Sequence, residues 1–402
     1  MNILNLSHMI SYPIEAGYQS RVMYYALALS SHNNIKVKQF CFNPFIFTKK
    51  KELSFNDGSY KIYFMHSFLY TIAIFIIYPI MKIRNWLHVV PIIFKIIKPS
   101  RTLRKAFNWT DIIQVEGPWL VPWVKKYTDK PVIMIAHNVE YNLASSIMEH
   151  KCKNHPQIIK KFLLNNLFNT EKYAVMNSDK VFAVSNIDKN HMLELYKIDE
   201  EKIEIVPNGI NSSIYNKKNK SFLEIINQKK YDAIILFTGS AHPPNIIAAD
   251  FIINNIAPLF IKENVLFLIV GRVSLKKIFK DNVLCTGPIE NDMLVEYIKI
   301  SDIAINPIPY GSGSNIKMFE YIAAGLPIIS TLNGVEGVCS EAKKDIIICR
   351  QDQFFQKISE LLKNKNKLKI LSQKMKKNAK FHDYKYITKQ ALGFYQKLLI
   401  LS

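Results

Sequence analysis

The sequence predicts an α/β chain of two doubly wound, Rossmann-like domains, and three observations carry that expectation. Short runs rich in β-branched residues alternate with stretches long enough for helices, the pattern of parallel strands buried on both faces. The alternation comes in two series, separated by VPNGINSSIYNKKNKS at 206–221, whose Pro, Asn, Gly and Lys content marks a linker. Hydrophobic residues make up 49% of the 402 positions, enough for two cores at roughly 100–200 residues per domain. The expected division is 1–208 for the first domain, 209–231 for the linker, 232–375 for the second domain and 376–402 for terminal helices. Whether those helices pack back on the first domain is left open.

Asn2 to Ser7 reads as the first strand, because no basic stretch or small-residue cleavage site marks a signal peptide there. After the loop SHMISYPIEAGYQS, Arg21 to Ser31 reads as a helix with Val22, Tyr25, Ala26 and Leu29 on one face. DIIQVEG (111–117), PVIMIAHN (131–138) and KVFAVS (180–185) complete the first series of strands. The second runs AIILFTGS (233–240), VLFLIVG (265–271), NVLCTG (282–287), DIAINPI (302–308) and PIIST (327–331). A solvated, Lys-rich helical tail is expected from about Asp352.

The segment 60–105 is unusual. No acidic residue lies between Gly58 and Asp111, while Lys61, Lys82, Arg84, Lys95, Lys98, Arg101, Arg104 and Lys105 punctuate apolar runs. The charge-free window from Ile62 to Met81 just reaches the length that spans ~30 Å of hydrocarbon, yet it contains His66, Ser67 and Pro79. Three readings follow: insertion in the bilayer, helices packed on the first sheet, and an amphipathic basic surface on anionic headgroups, which is adopted here.

Lys and Arg outnumber Asp and Glu 53 to 32, a formal +21, which favours phosphate-bearing partners. No aromatic-interleaved RNA motif, helix-turn-helix signal or zinc finger is present, so nucleic acid is not the expected partner. Cys41, Cys152, Cys285, Cys339 and Cys349 form no C-x-x-C pair, which argues against a zinc site or a disulfide framework and fits a reducing cytosol. No cofactor is expected.

The most informative stretch is YGSGSNIKMFEYIAAGLPIIST, 310–331. Gly311 and Gly313 allow a tight turn, Ser314 can cap the following helix, and the amides of Asn315 and Ile316 then face whatever fills the loop. An anion suits that place, and Lys317 adds a full charge. Glu320, one turn further on, is placed for the two hydroxyls of a ribose. Together they describe a nucleoside diphosphate site; a plain turn, a cap and a surface ion pair are the alternative. Small Ala323, Ala324 and Gly325 let the helix approach the sheet, and Pro327 opens the next buried strand.

This stretch resembles the carboxyl-domain signature of the retaining, nucleotide-sugar-dependent glycosyltransferases of group 1 (family 4). The resemblance extends over YPIEAGYQSR, DIIQVEG, HNVE (137–140), FAVSN (182–186), VPNGIN (206–211), FTGSAHPPN (237–245) and GPIEN (287–291). It implies the GT-B architecture, two Rossmann-like domains facing across a cleft. It also implies that Glu320 binds the donor ribose and that Gly313, Ser314, Asn315, Ile316 and Lys317 form the diphosphate turn. His137 would reach the donor sugar, Gly17 would bring backbone to phosphate or acceptor, and Gly287, Pro288 and Ile289 would border the nucleotide base. Two positions depart from the pattern: Ser312 stands where the motif has its first Glu, and Ser240, Ala241 and His242 follow Gly239 where a basic residue is usual. Arg272 on the next strand is either a substitute or a plain surface residue.

The implied chemistry is metal-independent front-face transfer. The helix N-terminus and Lys317 meet the charge growing on the leaving diphosphate, no protein nucleophile is needed, and His137 positions and stabilises. His137, Lys317 and Glu320 are thus the candidate catalytic residues, and no D-x-D pair suggests a metal. On the acceptor side, Glu116 and Trp119 in EGPWLVPW and Glu140 in HNVE are candidates, with buried core and helix capping as their alternatives. The expected enzyme is cytoplasmic, peripheral on the inner face of the membrane, and uses a lipid-linked or polysaccharide acceptor. A donor-binding partner subunit and a nucleotide-sugar 2-epimerase are the competing functions.

Overall fold

A computed structural model describes residues 1–12, 17–43, 52–66, 94, 97–151, 156–215, 231–310 and 315–401. The chain forms two compact units, one of Met1–Pro207 with Ile387–Ser402 and one of Asn208–Tyr386.

In the first unit the strands are β1 (Asn2–Ser7), β2 (Lys36–Asn43), β3 (Glu52–Phe55), β4 (Tyr60–His66), β5 (Ile112–Glu116), β6 (Val132–Ala136), β7 (Lys180–Ala183) and β8 (Ile203–Ile205). They lie in the order β3-β4-β2-β1-β5-β6-β7-β8, parallel throughout except β3 against β4. Winding goes one way from β1 and the other way from β5, so the order reverses between them, where ligands of open α/β sheets bind at the strands' carboxyl ends. β5 and β6 are buried at every position, which is why they are mostly Ile and Val, with Gln114 and Glu116 the polar exceptions in β5. The first helix spans Gly17–Ser30, starting before the expected Arg21; Val22, Tyr25, Ala26 and Leu29 are all buried.

At the start of the segment 60–105, Tyr60–His66 is a strand whose Tyr60 and Ile62 are buried while Lys61 reaches Glu52 outside, the period of two of a sheet. At its other end Ser100 caps the Arg101–Trp109 helix by accepting Leu103 N–H, and Leu103, Ala106 and Phe107 pack inward with Arg101, Arg104 and Lys105 exposed. Residues 67–93 and 95–96, with most of the apolar window, lie outside the described residues.

The second unit holds β9 (Ala233–Thr238), β10 (Val265–Val270), β11 (Ile278–Lys280), β12 (Val283–Cys285), β13 (Ile303–Asn306), β14 (Ile328–Ser330) and β15 (Ile347–Ile348). Their order is β11-β12-β10-β9-β13-β14-β15, parallel except at β11, with the reversal between β9 and β13. Pro243–Glu263 is long and apolar enough to cross a membrane by length and composition, but Ala248, Ala249, Ile252, Ile256 and Phe260 pack it against this sheet's core.

The tail is not simply solvated. Phe354–Lys363 buries Phe354, Ile358 and Leu361, and Lys365–Asn378 buries Leu371 and Met375. Tyr384–Leu401 buries Ile387, Ala391, Tyr395 and Leu398, a stripe at spacings of four, four and three that seats it as a core helix. The lysines lie mostly on the opposite faces, which also expose Phe355, Ile370 and Ile400.

Candidate functional site

Each unit carries its own polar cluster where its strand order reverses. In the first, β5 ends on Glu116 and β6 leads directly into His137. Glu116 is 2% exposed, and its Oε2 lies 2.8 Å from His137 Nε2. Its Oε1 accepts hydrogen bonds from Asn5 Nδ2 at 2.9 Å and Gln114 Nε2 at 2.8 Å. The Tyr18 ring sits 4.7 Å from that of His137, and its hydroxyl is 2.9 Å from Ser7 Oγ. His8 is buried, with Nδ1 3.3 Å from the Glu116 carbonyl and its ring 4.2 Å from Trp119.

Burial alone would raise the Glu116 pKa, but the bond to His137, its charge, Gln114 and the nearby Arg21 outweigh it and hold the carboxyl below its usual range. Burial lowers the His137 pKa, against the pull of Glu116, and drives that of His8 down to about 3. Burial thus favours the neutral ring at both histidines, while the donors around Glu116 favour its ionised form.

Glu140 opens the Glu140–Lys151 helix and is buried. The carboxylate of Glu171, in the Gln157–Asn177 helix, accepts the backbone N–H groups of Glu140 and Tyr141, both at 2.9 Å, and the Tyr196 hydroxyl at 2.6 Å. Glu171 thus pins the HNVE loop that carries His137. Burial, then the neighbouring Glu171, pushes the Glu140 carboxyl up to about 8.

Of the two readings of Trp119, the structure has the buried one: it is 3% exposed and packed on His8, so its ring is core and offers no face to a sugar. Trp123 is core as well, donating from Nε1 to the Ile97 carbonyl at 2.7 Å. Gly17 lies exposed at the first turn of its helix.

In the second unit, Lys317 and Glu320 sit in the first turns of the Ile316–Ala324 helix, both partly exposed. Lys317 Nζ donates to Asn245 Oδ1 at 2.7 Å and stands 4.3 Å over the Phe237 ring. Asn245 Nδ2 is 3.2 Å from both the carbonyl and Oγ of Ser240, which fixes the amide with its oxygen toward Lys317. Burial lowers the Lys317 pKa to about 7, opposed by Glu320, and raises that of Glu320 to about 7, opposed by Lys317.

The cap lies one residue later than expected. Asn315 is the N-cap, and its side chain donates to the Asn333 carbonyl at 3.3 Å instead of accepting a first-turn amide. The helix therefore begins at Ile316, and its first-turn amides depend on other acceptors. Gly313 and Ser314, with Gly311 and Ser312, lie outside the described residues.

Gly287 follows β12 with φ +70, and a Cβ there would come 3.2 Å from the Lys276 backbone, so glycine suits both the turn and the close approach. Pro288 is exposed and Ile289 half-buried beside it, while Arg272 is exposed just past β10. Asn5, Gln114, Asn245 and Glu171 were not read from the sequence as site residues. The first two carried one usable signal, a polar side chain inside an otherwise apolar strand. Among the described residues no group of three His, Cys, Asp or Glu is placed to hold a metal ion.

Two family models match the chain, Glycosyltransferase Family 4 over 49–214 and Glycosyl transferases group 1 over 232–364. No curated protein matches. Solved structures similar in fold include the sucrose-phosphate synthase of Thermosynechococcus elongatus, 13% identical with TM-score 0.73, covering 100% of both chains. A glycosyltransferase of Rickettsia africae is 18% identical with TM-score 0.59, covering 100% of this chain and 99% of the other. HepE of Anabaena, solved in complex with UDP, is 12% identical with TM-score 0.57, covering 99% of this chain and 100% of its own.

Proposed function

Since the chain belongs to the group 1 (family 4) glycosyltransferases of GT-B architecture, enzymes that move a sugar from a nucleotide-sugar donor to an acceptor, we propose that it is a retaining, metal-independent hexosyltransferase using a lipid-linked or polysaccharide acceptor in cell-surface glycan synthesis. The observation that carries the donor assignment is the arrangement around Lys317. A cation held by Asn245 stands in the first turn of the Ile316–Ala324 helix, with Glu320 on the same face. Half-charged near pH 7 in the free site, Lys317 regains its proton when a diphosphate enters, because a nearby anion favours the charged form. The ammonium and the helix N-terminus then oppose the charge that grows on the leaving group. Glu320 accepts from the ribose hydroxyls, and His137 hydrogen-bonds the sugar being transferred. Gly17, Arg272 and the Gly287–Ile289 turn complete the proposed donor contacts.

HepE of Anabaena, seen with UDP, makes a uridine nucleotide the first donor to try. The formal +21 and the basic 60–105 segment support work at an anionic membrane face in the cytoplasm. Ser312, in place of the first motif Glu, keeps a second reading, a donor-binding subunit that partners an active transferase.

A thermal-shift screen against UDP-, GDP-, ADP- and TDP-sugars without added metal tests the donor site. At a hundredfold excess over Kd, binding adds about 2.7 kcal/mol, so one nucleotide should raise Tm by roughly 5–10 °C. Glu320→Ala should abolish that shift while remaining folded. No shift with any nucleotide sugar would remove the donor assignment.

A further inference from the structure

We propose that Glu116 is a positioning residue for the transfer, fixing the His137 ring with its Nε2 proton inward so that Nδ1 is the ring atom left for the sugar. The inference rests on the reading that His137 touches the transferred sugar, and it replaces any direct contact of Glu116 with an acceptor. Exposure separates the two side chains: 10% for His137 and 2% for Glu116. Whatever Glu116 does for a ligand, it does through the histidine.

Three donors converge on the one carboxylate. Asn5 and Gln114 both reach Oε1, and His137 faces Oε2. The orientation of Gln114 is itself determined, because the Tyr395 hydroxyl donates to Gln114 Oε1 at 2.5 Å and leaves the amide N–H for Glu116. Tyr25 and Tyr395 hydroxyls lie 3.3 Å apart, extending the chain of contacts away from the site. An ionised carboxylate has no hydrogen to give, so the ring nitrogen facing it must carry one. In a neutral imidazole the other nitrogen then holds a lone pair, and a sugar hydroxyl can donate to it. Tyr18, tilted 54° against the ring, limits its swing. Other charged or titratable groups around the pair include Arg21 and Tyr18 from the first helix, His8 after β1, Cys41 from β2, Tyr60 from β4, Glu140, and Tyr395 from the Tyr384–Leu401 helix.

The test uses the full-length protein with ¹⁵N-labelled histidine and reads the His137 tautomer from its ring nitrogen shifts. The signal is assigned among ten histidines by its loss in His137→Ala. We expect an Nε2–H, Nδ1-unprotonated ring near pH 8 without donor; an Nδ1–H ring would overturn the proposal. In Glu116→Gln, which keeps the side chain's size, the second tautomer should appear and kcat should fall about tenfold or more, with donor KM changed less than about threefold. Glu116→Asp, keeping the charge, should recover part of the rate. A folded Glu116→Gln enzyme with native tautomer and native kcat would also overturn it, and if that variant fails to fold, the tautomer in the native chain decides alone. Failure of the underlying reading looks different: His137→Ala would retain kcat while the native tautomer stayed Nε2–H.

Discussion

Among the described residues, Lys317 donates to one neutral acceptor, Asn245, and has an aromatic face beneath it. Its charge is therefore not spent on a carboxylate held against it, and remains available to a ligand that becomes more negative as it reacts. Lys317→Ala should accordingly lower kcat by about 100-fold while raising donor KM only a few-fold, the pattern of an interaction made mainly in the transition state. Steady-state rates across donor concentrations check this, and a loss confined to KM would contradict it. The places of Lys317, Glu320 and His137 in the fold were legible because each sits in a stretch whose neighbours imply a turn, a helix start or a strand end. Asn245 was not, since an amide takes its meaning from its partner and that partner lies 72 residues away. Trp119 was left between two readings for a related reason: an aromatic after a strand looks the same in sequence whether it stacks on a ligand or, as here, on His8.

The helix that begins at Glu140 shows what the cluster costs its elements. Glu171 satisfies two first-turn amides, yet it brings a second carboxylate beside Glu140 in a buried place. Glu140 therefore keeps its proton up to about pH 8, and Glu171 and Asp188 are raised too, chiefly by burial, while Asn138 pulls Glu140 the other way. A carboxyl raised in the folded state binds a proton that the unfolded chain has already released, so its contribution is complete below about pH 4.5 and is lost as pH climbs toward 8. Tm should fall between pH 5 and pH 8, and Glu140→Gln should flatten part of that slope; an unchanged slope in the variant would refute the assignment. β1, β5, β6 and β7, and β9, β10, β12, β13 and β14, were read directly because burial on both faces demands continuous apolar runs, whereas β2, central too, was missed because Lys36 and Lys38 interrupt its apolar run. The edge strands β3, β8, β11 and β15 were missed because they are short and partly or wholly exposed. β4 was missed for another reason: its alternation runs straight into a longer apolar stretch that dominates the composition.

At the scale of the molecule, the chain leaves the first unit after Pro207 and returns at Ile387. The returning helix is integral: Tyr395 is fully buried, Ile387, Ala391 and Leu398 pack with it, and Thr388 Oγ1 meets His32 Nε2 at 2.9 Å. Truncating the chain after Tyr386 removes several core side chains worth about 2–5 kcal/mol each, comparable to the whole stability of a domain. The truncated protein should therefore lose the cooperative melting of its first unit while the Asn208–Tyr386 unit still unfolds as one transition in calorimetry. An unaltered first transition would show the helix to be dispensable. Two domains were legible from the two series of strands, whereas the helix's allegiance depends on a stripe of four residues that any solvated amphipathic helix also displays. The same return dictates an order of events on the ribosome. The amino-terminal half emerges first but lacks its closing helix until the other half has been made, an interval of about 10–40 s at ordinary elongation rates. The later-made unit is thus the first able to finish folding, and the earlier-made one waits with the seat for its last helix uncovered, where a chaperone would find the nascent chain.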